Sequence, residues 1–195
     1  MEDLLRQNIQ RTIGKLVKDE EFELFSSYLF TRTFDKKSFL AEEGEHCKYV
    51  YFILKGSAYS YFVNEHGEKH AMQFALEGYW ITDHFSFFSG KPGIYSIETL
   101  EPSKILVLNR ENFENICNSN HHFEHFFRIL IQNAFISQQY RLAKTNSEDA
   151  EHRYHEFSKL HPDFIQRIPQ YLIASYLGIK PQSLSRIRNE KGHSK

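Results

Sequence analysis

The sequence contains only two cysteines, Cys47 and Cys117, and it has no long run of apolar residues. Two cysteines cannot build a disulfide framework, a four-cysteine iron–sulfur cluster or a four-cysteine zinc site. No stretch approaches the roughly eighteen apolar residues of a membrane-spanning helix. The N-terminal segment is charged and amphipathic, unlike a targeting peptide. We therefore expect a cytoplasmic protein with no membrane partner.

Net charge is also nearly absent, since 24 Lys and Arg stand against 25 Asp and Glu among 195 residues. Averaged over the chain, this balance disfavours a nucleic-acid-binding protein. The charge is unevenly distributed, however. Residues 167–195 hold six basic side chains and one acidic one, a net charge of +5, whereas residues 1–166 carry −6. The sequence therefore predicts an acidic body with a basic C-terminal segment.

The spacing of apolar residues divides the chain into helical and strand-like regions. Residues 3–26 repeat apolar side chains every three or four positions, which predicts a helix. Over residues 27–109 the period is two, in short aromatic and β-branched runs separated by turns, as in a jelly roll or barrel. A long helix is predicted over 121–144, and Thr145-Asn-Ser-Glu148 has the spacing of a capping box for the next helix.

The long helix carries two apolar stripes, although packing on the strand domain requires only one. The second stripe is Phe126, Ile129, Ile136 and Tyr140. We expect the first stripe to bind a second copy of the chain, and its residues are Phe123, Phe127, Leu130 and Ala134. The alternative is a helix that is buried entirely within one subunit.

Residues 170–187 read QYLIASYLGIKPQSLSRI and meet the requirements of two helices joined by a tight turn. Gly178 tolerates a positive φ in the turn, and Pro181 suits the start of the second helix. The small Ala174 allows the helices to cross closely. The positions expected to pack between the helices are all apolar: Ile173, Leu177, Ile179, Leu184 and Ile187. This pattern predicts a helix-turn-helix.

The second of these helices has side chains that are not needed for packing and that can bind DNA. Arg pairs with guanine, Gln and Asn pair with adenine, and Ser and Lys bond to phosphates. The candidate DNA-binding residues are Lys180, Gln182, Ser183, Ser185, Arg186, Arg188, Asn189 and Lys191. A helical hairpin with a solvated basic face is the alternative, but the local charge of +5 favours DNA.

A strand-rich domain, a long helix and a C-terminal helix-turn-helix together resemble the Crp/Fnr family of bacterial transcription regulators. The most specific segment, FIQRIPQYLIASYLGIKPQSLSRIR, resembles the subgroup common in Bacteroidetes. The resemblance implies an α+β fold with a cyclic-nucleotide-binding-like jelly roll over 1–120, a dimerisation helix over 121–145 and a helix-turn-helix domain over 146–195. It also implies a homodimer on two-fold-symmetric double-stranded DNA, with RNA polymerase as a further possible partner.

In the motif of this family Arg186 falls on a base-contacting arginine, whereas Gln182 replaces a glutamate contact, so we expect a different preferred sequence. Family members commonly continue into a β-hairpin wing. Only eight residues follow Ile187, and we expect the wing to be truncated or missing.

The effector site departs from the cyclic AMP binders of the family. Their Gly-Glu-Leu segment reads Gly78-Tyr79-Trp80 here, and their phosphate-binding Arg-Ser pair aligns near Gly93-Ile94. A buried cyclic phosphate without a charged partner is costly to desolvate, so we do not expect cyclic AMP to bind. The residues that could line a pocket for an unknown small-molecule effector, or could simply form core, are Tyr79, Trp80, His84, Phe85, Ile94 and Gln138.

An enzyme is the main competing class, because jelly rolls of the cupin type carry metal oxygenases. The strands lack a His-x-His pair, and no G-x-S-x-G, P-loop or H-E-x-x-H motif occurs. His121 and His125 are four apart but have no evident third ligand. We therefore expect no catalysis, metal or cofactor. A ligand-binding or protein-interaction module of the same fold, without DNA readout, stays open as an alternative.

Overall fold

The structure is a computed structural model that describes residues 2–190, apart from the side chains of Glu2 and Glu190. Lys191 and the segment that would test the expectation of a truncated or missing wing fall outside the described residues. The chain forms two compact units. One combines the chain up to Ser60 with Phe74–Phe135, and the other combines Tyr61–Gln73 with the chain from Ile136 onward.

Helices flank a strand-rich region in the first part of the chain. Its elements are α1 (Glu2–Ile13), α2 (Asp19–Ser27), β1 (Phe30–Phe34), β2 (Phe39–Ala41), β3 (Tyr49–Lys55), β4 (Ala58–Val63), β5 (Lys69–Ala75), β6 (Trp80–Ile81), α3 (His84–Ser89), β7 (Ser96–Thr99), β8 (Ser103–Asn109) and α4 (Arg110–Ser119). The strands form two four-stranded sheets, ordered β1-β8-β3-β6 and β2-β7-β4-β5. With the long helix that follows, this confirms an α+β, jelly-roll-like domain.

The single helix predicted over residues 3–26 is instead two helices. Gly14 takes a left-handed φ of 66° just after α1 ends, and α2 begins five residues later at Asp19. The backbone N–H of Lys18 donates to the Glu21 carboxylate, 3.2 Å away, at the start of α2. The apolar period continues across this break because both helices bury apolar residues in the same core cluster. Periodicity alone therefore does not reveal the break.

The core of the first unit has two parts. Strand residues form one part: Tyr51, Ile53, Ala58, Ala75, Ile81, Ile97, Ile105 and Val107. Helix and strand residues form the other: Leu5, Ile9, Val17, Phe22, Phe25, Val50, Phe52, Phe87, Leu108, Phe113, Ile116, Phe123, Phe126 and Phe127. Burying one large apolar side chain contributes about 1.5–3 kcal/mol, so these clusters dominate the stability of the unit.

The long helix α5 (His121–Ser147) has 27 residues and is about 40 Å long. Its first two turns bury three phenylalanines, whereas most of the remaining residues are exposed. The predicted capping box at Thr145 is wrong, because the Thr145 hydroxyl donates within α5 to the Arg141 carbonyl, 2.9 Å away. The next helix begins after Asp149, whose carboxylate accepts the His152 N–H at 2.8 Å.

Four short helices follow α5. They are α6 (Ala150–Leu160), α7 (Pro162–Arg167), α8 (Gln170–Leu177) and α9 (Pro181–Glu190). Gly178 ends α8 with a left-handed φ of 64°, and Pro162 and Pro181 begin α7 and α9. The buried residues of this region include Tyr154, Phe157, Phe164, Ile168, Leu172, Ile173, Ala174, Leu177, Ile179, Leu184 and Ile187. Among residues 2–190, no helix combines the length and the apolar content needed to span a bilayer.

Candidate nucleic-acid interface and effector region

Helix α9 presents one polar stripe to solvent. Residues at positions i, i+3, i+4 and i+7 share one face of a helix. Four exposed residues have this spacing, and we call them the exposed α9 face: Gln182, Ser185, Arg186 and Asn189. Of the other candidates, Lys180 and Arg188 are exposed and Ser183 is half-buried. The structure thus brings the described DNA-binding candidates together on one short helix and its N-terminal edge.

The opposite side of α9 anchors it to the second unit. Leu184 and Ile187 are buried on α9, and α6 packs against α7, α8 and α9. The turn that precedes α9 is closed by backbone hydrogen bonds. Ile179 N–H bonds to the Ala174 carbonyl at 2.9 Å, and Leu184 N–H bonds to the Lys180 carbonyl at 3.0 Å. The exposed α9 face therefore belongs to a helix that packs against α6 and α8.

The segment that contains α8, the turn and α9 up to Asn189 carries charge of a single sign. No acidic side chain occurs in the sequence between Asp163 and Glu190, whereas Arg167, Lys180, Arg186 and Arg188 fall in this interval. A segment without carboxylates does not itself repel phosphates, and its basic side chains attract them. The electrostatics of this segment thus suit a polyanion.

The predicted effector residues of the first unit lie in different environments. Tyr79, Phe85 and Ile94 are exposed, whereas Trp80 packs in the core, with its ring centroid 4.9 Å from that of Phe52. The Trp80 indole N–H donates to the Asn8 side-chain oxygen at 3.0 Å. Trp80 is thus fixed as a structural residue. His84 and Gln138 were also predicted to line this pocket. Burial lowers the pKa of His84. Gln138 lies on the part of α5 that belongs to the second unit.

A buried aspartate organises the loop that was aligned with the phosphate-binding segment. Asp83 has no exposed surface. One carboxylate oxygen accepts the Ser86 N–H at 3.1 Å, and the other accepts those of Ile94 and Tyr95 at 2.8 and 3.1 Å. A Cβ atom on Gly93 would lie 2.9 Å from the second oxygen. The loop therefore has its own internal anion and no room for a side chain at position 93.

This role of Asp83 was not predicted from the sequence. An aspartate immediately before a short helix does signal an N-cap, and the structure has that cap. The two bonds to residues 94 and 95 depend on a return of the chain eleven residues later, which no local pattern reveals.

The first apolar stripe of α5 is placed differently from the prediction. Phe123 and Phe127 are 0% and 4% exposed, and both stack near Phe25 of α2. Leu130 packs partly on the same core, and Ala134 is half-buried. The reason is that α2 folds back over this stripe and occupies it. The exposed large apolar side chains of α5 are Ile131, Phe135, Ile136, Tyr140 and Leu142.

The structure offers no obvious metal site in the part that it describes. Within residues 2–190, no three or more His, Cys, Asp or Glu side chains converge closely enough to hold a metal ion. His121 and His125 are neighbours on α5, with ring centroids 6.4 Å apart. Burial raises the pKa of the Cys117 thiol to about 11, with smaller contributions from Glu114 and Glu124, so this cysteine is a protonated, poor ligand.

Comparison with known proteins agrees with this architecture. Residues 31–120 match the family model of the cyclic nucleotide-binding domain. Among solved structures, FixK2 from Bradyrhizobium japonicum is 16% identical, with 84% of each chain covered and a TM-score of 0.73. The catabolite activator protein of Thermus thermophilus is also 16% identical, with 93% of this chain and 88% of that chain covered and a TM-score of 0.61.

A third similar structure is that of the c-di-GMP responsive regulator CLP from Xanthomonas campestris. It is 11% identical, with 90% of this chain and 92% of that chain covered and a TM-score of 0.70. No curated protein matches this chain in sequence.

Residues 31–120 thus form a cyclic nucleotide-binding domain by fold. Solved structures that resemble most of this chain include transcription regulators of the Crp/Fnr family, which confirms the resemblance predicted from the sequence. At 11–16% identity these similarities establish the fold of the chain. The ligands named for the neighbours are properties of those proteins.

Proposed function

We propose that the chain is a sequence-specific DNA-binding transcription regulator that acts as a homodimer. The observation that carries this proposal is the exposed α9 face. It aligns two amides, a hydroxyl and a guanidinium along one stripe of a helix whose other side is buried. Side chains of these types are the ones that read base edges in a major groove, which is wide enough to admit an α-helix.

Within this face we assign different roles to different residues. Arg186 reads a guanine through its planar fork, and Gln182 reads a base nearer the start of α9. Lys180, Ser183 and the N-terminal amides of α9 approach phosphates, which favour the positive end of a helix. Arg188, Ser185 and Asn189 make the remaining contacts with the DNA.

The homodimer is proposed from the exposed apolar residues of α5. Phe135 is 63% exposed, and Ile131, Ile136 and Leu142 also present large apolar surfaces to solvent. Ile131, Phe135 and Leu142 are spaced i, i+4 and i+11 and so share one face of α5, and exposed apolar surface of this kind marks an interaction site. A second copy with the same surface would bury it through a two-fold axis, and this would present two α9 helices to a symmetric DNA site.

For the strand domain we propose a regulatory rather than a catalytic role, without cyclic AMP as the ligand. Asp83 supports this, because its buried carboxylate already accepts the loop amides on the segment aligned with the phosphate-binding pair. A cyclic phosphate brought to these amides would meet a like charge at close range. The predicted boundaries at residues 120 and 145 separate the effector domain, the dimerisation helix and the DNA-binding domain in this proposal.

Selection of bound duplexes from a random pool tests the proposal. We expect enrichment of a two-fold-symmetric sequence and tight binding of that sequence by wild-type protein in anisotropy titrations. The Arg186→Ala variant should lose preference for the selected site. The matched control is Lys159→Ala, which removes an exposed basic side chain from a different helix, α6. Absence of DNA binding even at low salt would overturn the proposal and favour a ligand-binding module.

A further inference from the structure

The C-terminal end of α8 is held by two arginines from other helices. Arg141 of α5 donates from Nη1 to the Tyr176 carbonyl at 3.3 Å. Arg153 of α6 donates from Nε to the Leu177 carbonyl at 3.0 Å and from Nη2 to the Gly178 carbonyl at 3.4 Å. Three consecutive carbonyls of the turn before α9 thus bond to Arg141 and Arg153, which we call the arginine pair.

The sequence of the turn explains why outside donors are needed there. The last carbonyls of a helix have no partner within the helix. In a continued helix the Leu177 carbonyl would accept the N–H of residue 181, but residue 181 is proline and has no N–H. The amides of Gly178 and Ile179 turn back to Ala174 and Ser175. Arg153 supplies the donor that Pro181 removes.

The chemistry of this end of the helix requires arginine rather than any other basic residue. A guanidinium is planar and carries five N–H donors, so Arg153 reaches two adjacent carbonyls at once, which a lysine ammonium does not match. Both guanidinium groups are positive and lie at the negative end of the α8 dipole. Arg141 also stacks on the Tyr176 ring, 4.5 Å from its centroid.

The arginine pair connects the turn to the dimerisation helix. Arg141 belongs to α5 itself, and its Nη1 also donates to the Ala71 carbonyl at 3.4 Å. Arg153 donates from its other nitrogen, Nη1, to the carbonyl of Glu148, directly after α5 ends. A displacement of the end of α5 is therefore transmitted to the residues that begin α9.

We propose that the arginine pair positions α9, by fixing the turn from Tyr176 to Pro181 against the end of α5. This proposal rests on the proposed DNA-binding function of α9. The two arginines are positioning residues, because their guanidinium groups bond to main-chain carbonyls within the subunit rather than to DNA. They set the angle at which the exposed α9 face meets a groove, and so they act on sequence preference.

The test compares Arg141→Gln and Arg153→Gln with two controls. Arg128→Gln removes an exposed arginine of α5 that contacts Glu124, His125 and Gln132 on the same helix. Lys159→Gln removes an exposed positive charge from the last turn of α6. Anisotropy titrations at several salt concentrations measure binding to the duplex selected from the random pool and to a scrambled duplex of equal length.

Loss of one arginine should weaken binding to the selected duplex by about tenfold, which corresponds to about 1.4 kcal/mol. Binding to the scrambled duplex and the salt dependence should stay as in wild type, because no phosphate contact is lost. The Arg153→Lys variant keeps the charge but should not restore preference. Both controls should leave the preference for the selected duplex unchanged. An equal loss for both duplexes, with a reduced salt slope, would mean that the arginines contact phosphate directly and would overturn the proposal.

A second readout does not depend on DNA. Amide hydrogen exchange of free protein should become faster at Ile179 and Leu184 in Arg153→Gln, and stay as in wild type in Lys159→Gln. Unchanged exchange at these amides would contradict the proposal even if DNA binding falls. If wild-type protein binds no DNA but exchange responds as expected, the proposed function fails while the positioning of α9 by the arginine pair stands. If Arg153→Gln does not fold, Arg153→Lys takes its place in both measurements.

Discussion

Replacing Asp83 with alanine should destabilise the chain much more than the same change at Asp149. Each aspartate precedes a helix and accepts the backbone N–H three residues later, at 3.1 Å for Asp83 and 2.8 Å for Asp149. Asp149 is exposed, and its carboxylate caps α6 through this bond. Asp83 is fully buried and also accepts the amides of Ile94 and Tyr95.

The difference between the two sites sets the expected magnitude. An exposed N-cap contributes about 1 kcal/mol to the free energy of unfolding, which is the expected cost of Asp149→Ala. Hydrogen bonds to a charged group contribute roughly 1.5–3 kcal/mol each, and buried amides that lose their acceptor keep the desolvation penalty. We therefore expect Asp83→Ala to cost on the order of 3–5 kcal/mol, a large share of the roughly 5–15 kcal/mol that stabilises a typical domain.

Urea unfolding followed by far-ultraviolet circular dichroism measures both variants against wild type. The single tryptophan, Trp80, lies in the core of the first unit and gives a second, local signal for Asp83→Ala. Asp83→Asn should also be destabilised, because its amide NH₂ group would face donors on one side. Equal costs for Asp83→Ala and Asp149→Ala would refute the argument that the buried carboxylate organises the loop.

Three further outcomes are expected. Arg186→Ala should abolish preference for the selected DNA site, whereas Lys191→Ala should weaken binding to all sequences alike and lower the salt slope by about one, both measured by anisotropy. Phe135→Glu should yield folded monomers in light scattering, whereas Phe127→Glu should lower the melting temperature, because a charge would enter a core position that is 4% exposed. Burial lowers the pKa of His84 below its usual 6.5, so folding favours the neutral ring. The resulting stability is present above pH 6.5 and is lost as the pH falls through the folded pKa, and His84→Gln should flatten this part of the unfolding profile.

Sequence patterns predicted α9 and the turn before it well because the requirements of these elements are local. Gly178, Pro181 and the buried Leu184 and Ile187 occupy positions whose roles follow from backbone geometry and helical period alone. The same reasoning separated the strand-rich region from the helices. Each of these features depends on residues that are close together in the chain, where steric rules and hydrogen-bonding rules act directly.

Features that depend on distant parts of the chain were not predictable in this way. The apolar stripe containing Phe123 and Phe127 was correctly recognised as apolar, but its partner is Phe25 of α2 rather than a second copy. An apolar stripe indicates that this face of the helix is buried, but it does not identify the residues that bury it. The contacts of Arg153 with Leu177 were likewise invisible, because they join residues 24 positions apart.

The loop around Asp83 and Gly93 constrains the order in which sequence changes can accumulate. An arginine at position 93 would meet both the Asp83 carboxylate and the Glu45 carbonyl, since even a Cβ atom would lie 2.9 and 3.0 Å from them. Loss of Asp83 alone would leave three amides without their acceptor. Both positions would therefore have to change before this loop could take a cyclic phosphate, and either change alone would give a less stable protein.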